Sequence, residues 1–213
     1  MTSDPAAWEL VSPQWRACLV EAWTSWSHGS LGVGAVIISP DGEVVARGRN
    51  REGEQHAPAG QLAGSYLAHA EVNALSALPR RRHPGHRLLV TLAPCLVCAS
   101  AIVMTQLPQL TYAAADPVMD DVSSWLATLP WAASRLPDTD GPLSGPIGHF
   151  ARLLPVLHMA EHRRQGRSFA VYQACQPGLV SQAEQLLADG TARQLRDLPC
   201  HLAFGALALP ADA

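Results

Sequence analysis

His69 and Glu71 stand one residue apart, and two thiols follow in Pro94-Cys95-Leu96-Val97-Cys98. One imidazole and two thiolates are donors of the kind that hold zinc. Four cysteines, or two cysteines with two histidines, close the metal's tetrahedron with protein atoms and brace a fold. Three protein donors leave a corner for water, whose pKa the metal brings down to about 7. A carboxylate that is not itself a ligand then has a use. Glu71, two positions past the histidine, is placed to move protons to and from that water. The set predicts hydrolytic chemistry, with His69, Cys95 and Cys98 holding Zn2+ and Glu71 as general acid and base.

Neither half of the pattern is specific alone. A Cys-x-x-Cys pair also serves redox chemistry, and a histidine near a glutamate on a helix is commonly a surface pair. The local sequence joins the halves. Residues 68–75 are rich in helix formers and precede the Pro79 breaker. Residues 87–92 predict a short buried strand. Pro94 suits a helix start, and residues 95–106 continue without a breaker, placing Cys95 and Cys98 at i and i+3 on one face. A helix N-terminus also favours the thiolate form that zinc binds.

H-x-E followed by P-C-x-x-C is the signature of the zinc nucleobase deaminases. Further stretches carry the likeness: Gly32-Val33-Gly34-Ala35-Val36-Ile37-Ile38, the Asp41-Gly42 turn, Glu43 to Asn50 with its Gly48-Arg49-Asn50 ending, Ala99-Ser100-Ala101-Ile102, and Leu110 to Pro117. Over residues 30–118 the chain resembles the cytidine deaminase-like superfamily, of the CMP/dCMP deaminase zinc-binding type. It is most similar to the branch of tRNA adenosine, guanine and bacterial nucleoside deaminases. The resemblance implies that Asn50 hydrogen-bonds the base, that Val33 and Ala70 pack against its ring, and that the chain forms a homodimer. Two departures stand out. Ala93 replaces a glutamate common before Pro-Cys, and residues 51–61 make a longer loop than a tRNA adenosine deaminase is expected to have, with His56 a solvated residue or a substrate contact.

The mechanism expected from these residues is hydrolytic deamination: an amino-heterocycle and water give the oxo-heterocycle and ammonia. The backbone amide of Cys95, at a helix start, is placed to steady negative charge developing on oxygen. No organic cofactor is implied.

Around these residues the chain predicts a single deaminase domain over 1–213, with a divergent C-terminal extension over 120–213 that completes the pocket. A tryptophan-rich stripe over residues 6–26 predicts a helix packed on the sheet. Two strands joined at Asp41-Gly42 form a hairpin. Strands at 87–92 and 109–114 follow, then a Pro/Gly-rich segment to 148, a helix over 150–164, a further strand over 168–174 and a helix over 178–189. The alternation predicts an α/β fold, a three-layer α/β/α sandwich around a mixed five-stranded sheet. Trp125, Trp131 and Phe150 are candidates for packing or for stacking on a base.

The 213 residues carry a formal net charge of −3, and all 15 basic residues are arginine. That balance lacks the basic excess of proteins whose affinity comes from phosphates, so it weighs against a nucleic-acid substrate without removing it. The clusters at Arg80-Arg81-Arg82 with Arg87 and at His162-Arg163-Arg164 with Arg167 are expected on solvated faces or loop ends. No signal peptide or membrane span is expected, and Cys18, Cys175 and Cys200 predict buried thiols in a reducing cytoplasm. Three readings result: a deaminase of a small aminated heterocycle, an RNA- or DNA-editing adenosine deaminase, and a catalytically silent zinc module. Glu71 argues against the third, because a structural site has no use for it.

Overall fold

The computed structural model describes residues 5–119 and 121–208. Two N-terminal helices, α1 (Pro5–Glu9) and α2 (Pro13–Ser27), precede the hairpin β1 (Gly34–Ile38) and β2 (Val44–Arg49). Then come α3 (Ala70–Ser76), β3 (Arg87–Leu92), α4 (Leu96–Thr105) and β4 (Gln109–Ala114). The second half holds α5 (Val122–Ala127), α6 (Pro130–Ala133), β5 (Asp138–Asp140), α7 (Gly145–His162), α8 (Arg167–Cys175), α9 (Pro177–Ala188), α10 (Thr191–Arg196) and α11 (Cys200–Leu207).

The five strands form one mixed sheet in the order β2-β1-β3-β4-β5. β1 pairs antiparallel with β2 and β3, whereas β4 runs parallel to β3 and β5 to β4. Alternation along the strands makes the layers. Val36, Ile38 and Leu89 pack with Ala17 and Cys18 of α2. Ala35, Ile37, Leu88 and Val90 face the other way, onto Ala70 and Ala74 of α3 and Ile102 of α4. The result is the expected α/β/α sandwich.

Glycine sets how closely the helices lie. A Cβ on Gly34 would meet Cys18 O at 2.3 Å and Ala22 N at 2.4 Å. One on Gly48 would meet Ala70 O at 2.3 Å and Ala74 N at 2.4 Å. Only glycine at these two strand positions lets the α2 and α3 backbones approach so near.

Four expectations are corrected. Residues 168–174 are helical, within α8, and the fifth strand is Asp138–Asp140 in the Pro/Gly-rich segment. The tryptophan stripe is broken between α1 and α2, and it packs mainly on C-terminal helices. Trp8 meets Phe204 edge-on at 5.3 Å, and Trp23 lies 5.9 Å from Phe150. Cys175 is exposed, while Cys18 and Cys200 are buried, and all five cysteines are free. Phe150 is wholly buried in this aromatic core, whereas Trp125 and Trp131 are more than half exposed. Among the described residues no helix is long and apolar enough to cross a membrane.

Candidate active site

Two helix starts build the site. His69 is the N-cap of α3, and Glu71 lies in its first turn. Cys95 is the N-cap of α4, with Cys98 in the first turn. Cys95 therefore precedes the helix instead of lying within it, yet its sulfur still sits at the electropositive end, where thiolate is favoured. His69 Nδ1 lies 3.3 Å from Cys98 Sγ and 3.4 Å from Cys95 Sγ, and the two sulfurs are 3.5 Å apart. A tetrahedral zinc with bonds of about 2.0 Å to nitrogen and about 2.3 Å to sulfur needs N···S edges of about 3.5 Å and an S···S edge of about 3.8 Å. The triangle is within a few tenths of an ångström of that, so the donor set fits the ion. These three side chains form a group able to hold a metal.

The electrostatics are those of a compact, half-dry cluster. Cys95 is held down to about 4, chiefly by its hydrogen bond with Cys98 and then by His69, against the effect of burial. The Cys98 thiol, pressed against Cys95 and buried, is raised. Hydrogen bonding to Cys95 and to Glu52 raises His69 to about 10. Glu71 is buried, and desolvation, followed by the charge at Cys95, raises it to about 7.

These groups open into a cavity of about 250 Å³. Val33, Asn50, Ala70, Glu71, His69 and Cys95 all line it, so it gathers every expected site residue except Cys98, which lies behind the wall. Ala93 lines it too. His56 is exposed on the loop and outside this wall. The loop itself is ordered by Asn73, whose amide bonds Arg49 O and both backbone groups of Leu62, and by the Arg49–Glu54 pair.

Residues the sequence reading gave no role complete the cavity. Leu31, Val118, Met119, Pro155, Met159 and Phe169 make its apolar surface. Asp116 lines it and accepts a hydrogen bond from buried Tyr172 at 3.2 Å. Burial, first, and then Asp116 push the Tyr172 hydroxyl up, and burial raises Asp116. Glu52 sits behind the imidazole: its Oε1 is 3.4 Å from His69 Nε2, and its Oε2 takes a 2.6 Å bond from Arg163. Arg163 is exposed, as expected, and through this bond also lines the cavity. Asn50 keeps company with Glu52 as well, accepting from its amide at 3.0 Å and donating to its carboxylate at 3.2 Å.

The family profile described as the cytidine and deoxycytidylate deaminase zinc-binding region matches residues 12–114. A tRNA-specific adenosine deaminase of Agrobacterium fabrum is 39% identical over 103 residues, which are 46% of this chain and 62% of that protein. The Bacillus subtilis tRNA-specific adenosine deaminase is 35% identical over 48% of this chain and 60% of its own length. A cytosine deaminase of Candida albicans is 30% identical over 42% of this chain and 56% of its length. The chain thus spans about three fifths of the curated relatives it matches. A solved tRNA:A34 deaminase, described as editing A to I at the wobble position, superposes with a TM-score of 0.51 at 32% identity, over 60% of this chain and 91% of that one. Open mixed sheet, paired helix starts and matched zinc-binding region together define the class: the chain belongs to the cytidine deaminase-like superfamily. Within it, the family profile ends at residue 114, and the helices from α7 onward lie beyond that stretch.

Proposed function

We propose that this chain is a zinc-dependent hydrolytic deaminase of a small aminated heterocycle, a nucleobase, nucleoside or related ring. One observation carries the reading: three donors spaced for zinc and a buried, non-ligand carboxylate converge on one cavity. Zinc, when bound, supplies Lewis acidity to water at the corner the protein leaves open. Glu71 carries two protons in turn at its carboxylate, the first from water to a ring nitrogen and the second from the newly added hydroxyl to the amine, which leaves as ammonia. Asn50 hydrogen-bonds the base edge, with the second hydrogen of its amide and a lone pair of its oxygen still to offer. Val33 and Ala70 flank the ring, and the Cys95 amide sits at the α4 start to favour negative charge on oxygen. Apolar walls exclude bulk water, which strengthens each of these polar contacts.

The substrate side rests on the second half of the chain. A cavity of about 250 Å³ suits one ring system, below the roughly 300–1,000 Å³ of sites for drug-sized ligands. Pro155, Met159, Arg163, Phe169 and Tyr172 line it. We read 1–213 as one domain, with residues after 120 acting as that wall. The names of the relatives favour a second reading, editing of an adenosine in tRNA. The net charge of −3 weighs against it. A homodimer is proposed through α4 to α6, where Leu96, Val97, Met104, Trp125, Leu129 and Trp131 are exposed. Five free cysteines fit a reducing cytoplasm.

Ammonia release measured over cytosine, adenine, guanine, their nucleosides and nucleotides, and tRNA separates the readings. Turnover of a free base or nucleoside with inert tRNA is the expected result. Conversion of a tRNA anticodon stem with every small molecule inert would overturn the small-molecule assignment.

A further inference from the structure

Glu52 and Arg163 hold the two ends of a short chain of contacts that finishes on a metal ligand. His69 turns Nδ1 toward the two sulfurs and Nε2 toward Glu52 Oε1, 3.4 Å away. The far oxygen, Glu52 Oε2, takes the 2.6 Å bond from the Arg163 guanidinium. Glu52 comes from the loop after Asn50, Arg163 from the C-terminal end of α7, and 111 positions separate them. An imidazole that gives Nδ1 to a metal must carry its proton on Nε2, and that N–H needs an acceptor. A carboxylate facing Nε2 fixes both the tautomer and the ring's rotation. A carboxylate on a loop holds that geometry only if its own rotation is restrained. Arg163 and the Asn50 amide supply the restraint, one bond to each oxygen.

We infer that Glu52 is a positioning residue for the ligand His69 and that Arg163, from the C-terminal helices, acts through Glu52 to set the affinity of the metal site. The segment beyond the family match is then part of the metal site as well as the pocket wall. Docking of α7 and the geometry of His69 become one event. This inference rests on the zinc reading but needs no turnover to test.

The experiment is competition for zinc between the full-length chain and a chromophoric chelator, made with wild type, Glu52→Gln, Arg163→Met, Arg163→Lys and the Glu52→Gln/Arg163→Met double variant. Thermal unfolding of each metal-free protein and the visible spectrum of each cobalt-loaded one accompany it. Loss of such an outer partner costs roughly 10–100-fold in metal affinity. Glu52→Gln is expected to fall in that range, with a changed cobalt spectrum and an unchanged metal-free melting temperature. Arg163→Met is expected to lose a smaller factor, Arg163→Lys to recover most of it, and the Arg163 effect to vanish in the Glu52→Gln background. Zinc affinity within twofold of wild type in Glu52→Gln overturns the inference. So does an Arg163 effect that persists without the Glu52 carboxylate, or an affinity loss matched by collapse of the metal-free fold. A wild-type chain that holds no zinc refutes the metal reading itself, which distinguishes the two failures.

Discussion

Glu71 and Cys98 sit within a few ångströms of the same centre but are predicted to fail differently when removed. Glu71→Gln keeps shape and hydrogen bonding while losing the ability to carry a proton, so zinc is retained and ammonia release falls by about 10²–10⁴-fold. Cys98→Ala removes a donor from a set of three, so zinc content drops below one ion per chain and activity goes with it. Metal analysis beside an ammonia assay reads both, and Glu71→Gln with near wild-type turnover contradicts the proton-carrying role. His69, Glu71, Cys95 and Cys98 were legible in sequence because each pair lies within one helical turn, where spacing alone implies proximity. Glu52, Asp116, Arg163 and Tyr172 were not. Their partners lie 111 positions apart for Glu52 with Arg163 and 56 for Asp116 with Tyr172, and no local pattern reports that.

At the scale of elements, the site depends on how near α3 lies to the hairpin. His69, Ala70 and Glu71 all enter the cavity from the start of that helix, whose backbone touches the space a Gly48 side chain would need. Gly48→Ala is predicted to destabilise the fold by about 1–3 kcal/mol, the range for overpacking, and to weaken zinc binding by displacing His69. Urea unfolding with parallel zinc titration checks this, and wild-type values in both would show that α3 yields without cost. The strands through β4 and the helices α3, α4, α7 and α9 follow from periodicity and breakers. The misreading of Ser168-Phe169-Ala170-Val171-Tyr172 as a strand has a physical source. Aromatic and β-branched residues favour strands, and a run this short does not separate a period of 2 from one of 3.6. Packing on α7 and α9 decides it, with Phe169 and Tyr172, three apart on one helical face, both buried. β5, Asp138-Thr139-Asp140, is exposed at all three residues and carries no hydrophobic alternation to read.

For the whole molecule, the largest apolar cluster joins α2 to the C-terminal helices. Trp23, Trp26, Phe150, Leu157, Phe169 and Phe204 belong to it, and Phe204 touches both Trp8 and Phe150. The same α7 that buries Phe150 presents Met159 and Arg163 to the cavity. Stability of the aromatic core and enclosure of the pocket are therefore coupled through one helix. Phe204→Ala, distant from the metal ligands in sequence, is predicted to lower the unfolding free energy by about 3–5 kcal/mol. Denaturant unfolding measures it, and a loss below about 1 kcal/mol would show that α11 is not integral to this core. The architecture was legible as layers because alternation marks the sheet faces. That the tryptophans serve the C-terminal helices was not, since an amphipathic stripe names a buried face without naming what covers it.

X-ray data collected on crystals at the zinc absorption edge examine the central claim most directly. One anomalous peak per chain is predicted, bonded to His69 Nδ1, Cys95 Sγ and Cys98 Sγ, with its fourth ligand supplied by solvent. A crystal of zinc-supplemented protein with no peak there, or with a protein atom as the fourth ligand, contradicts the account.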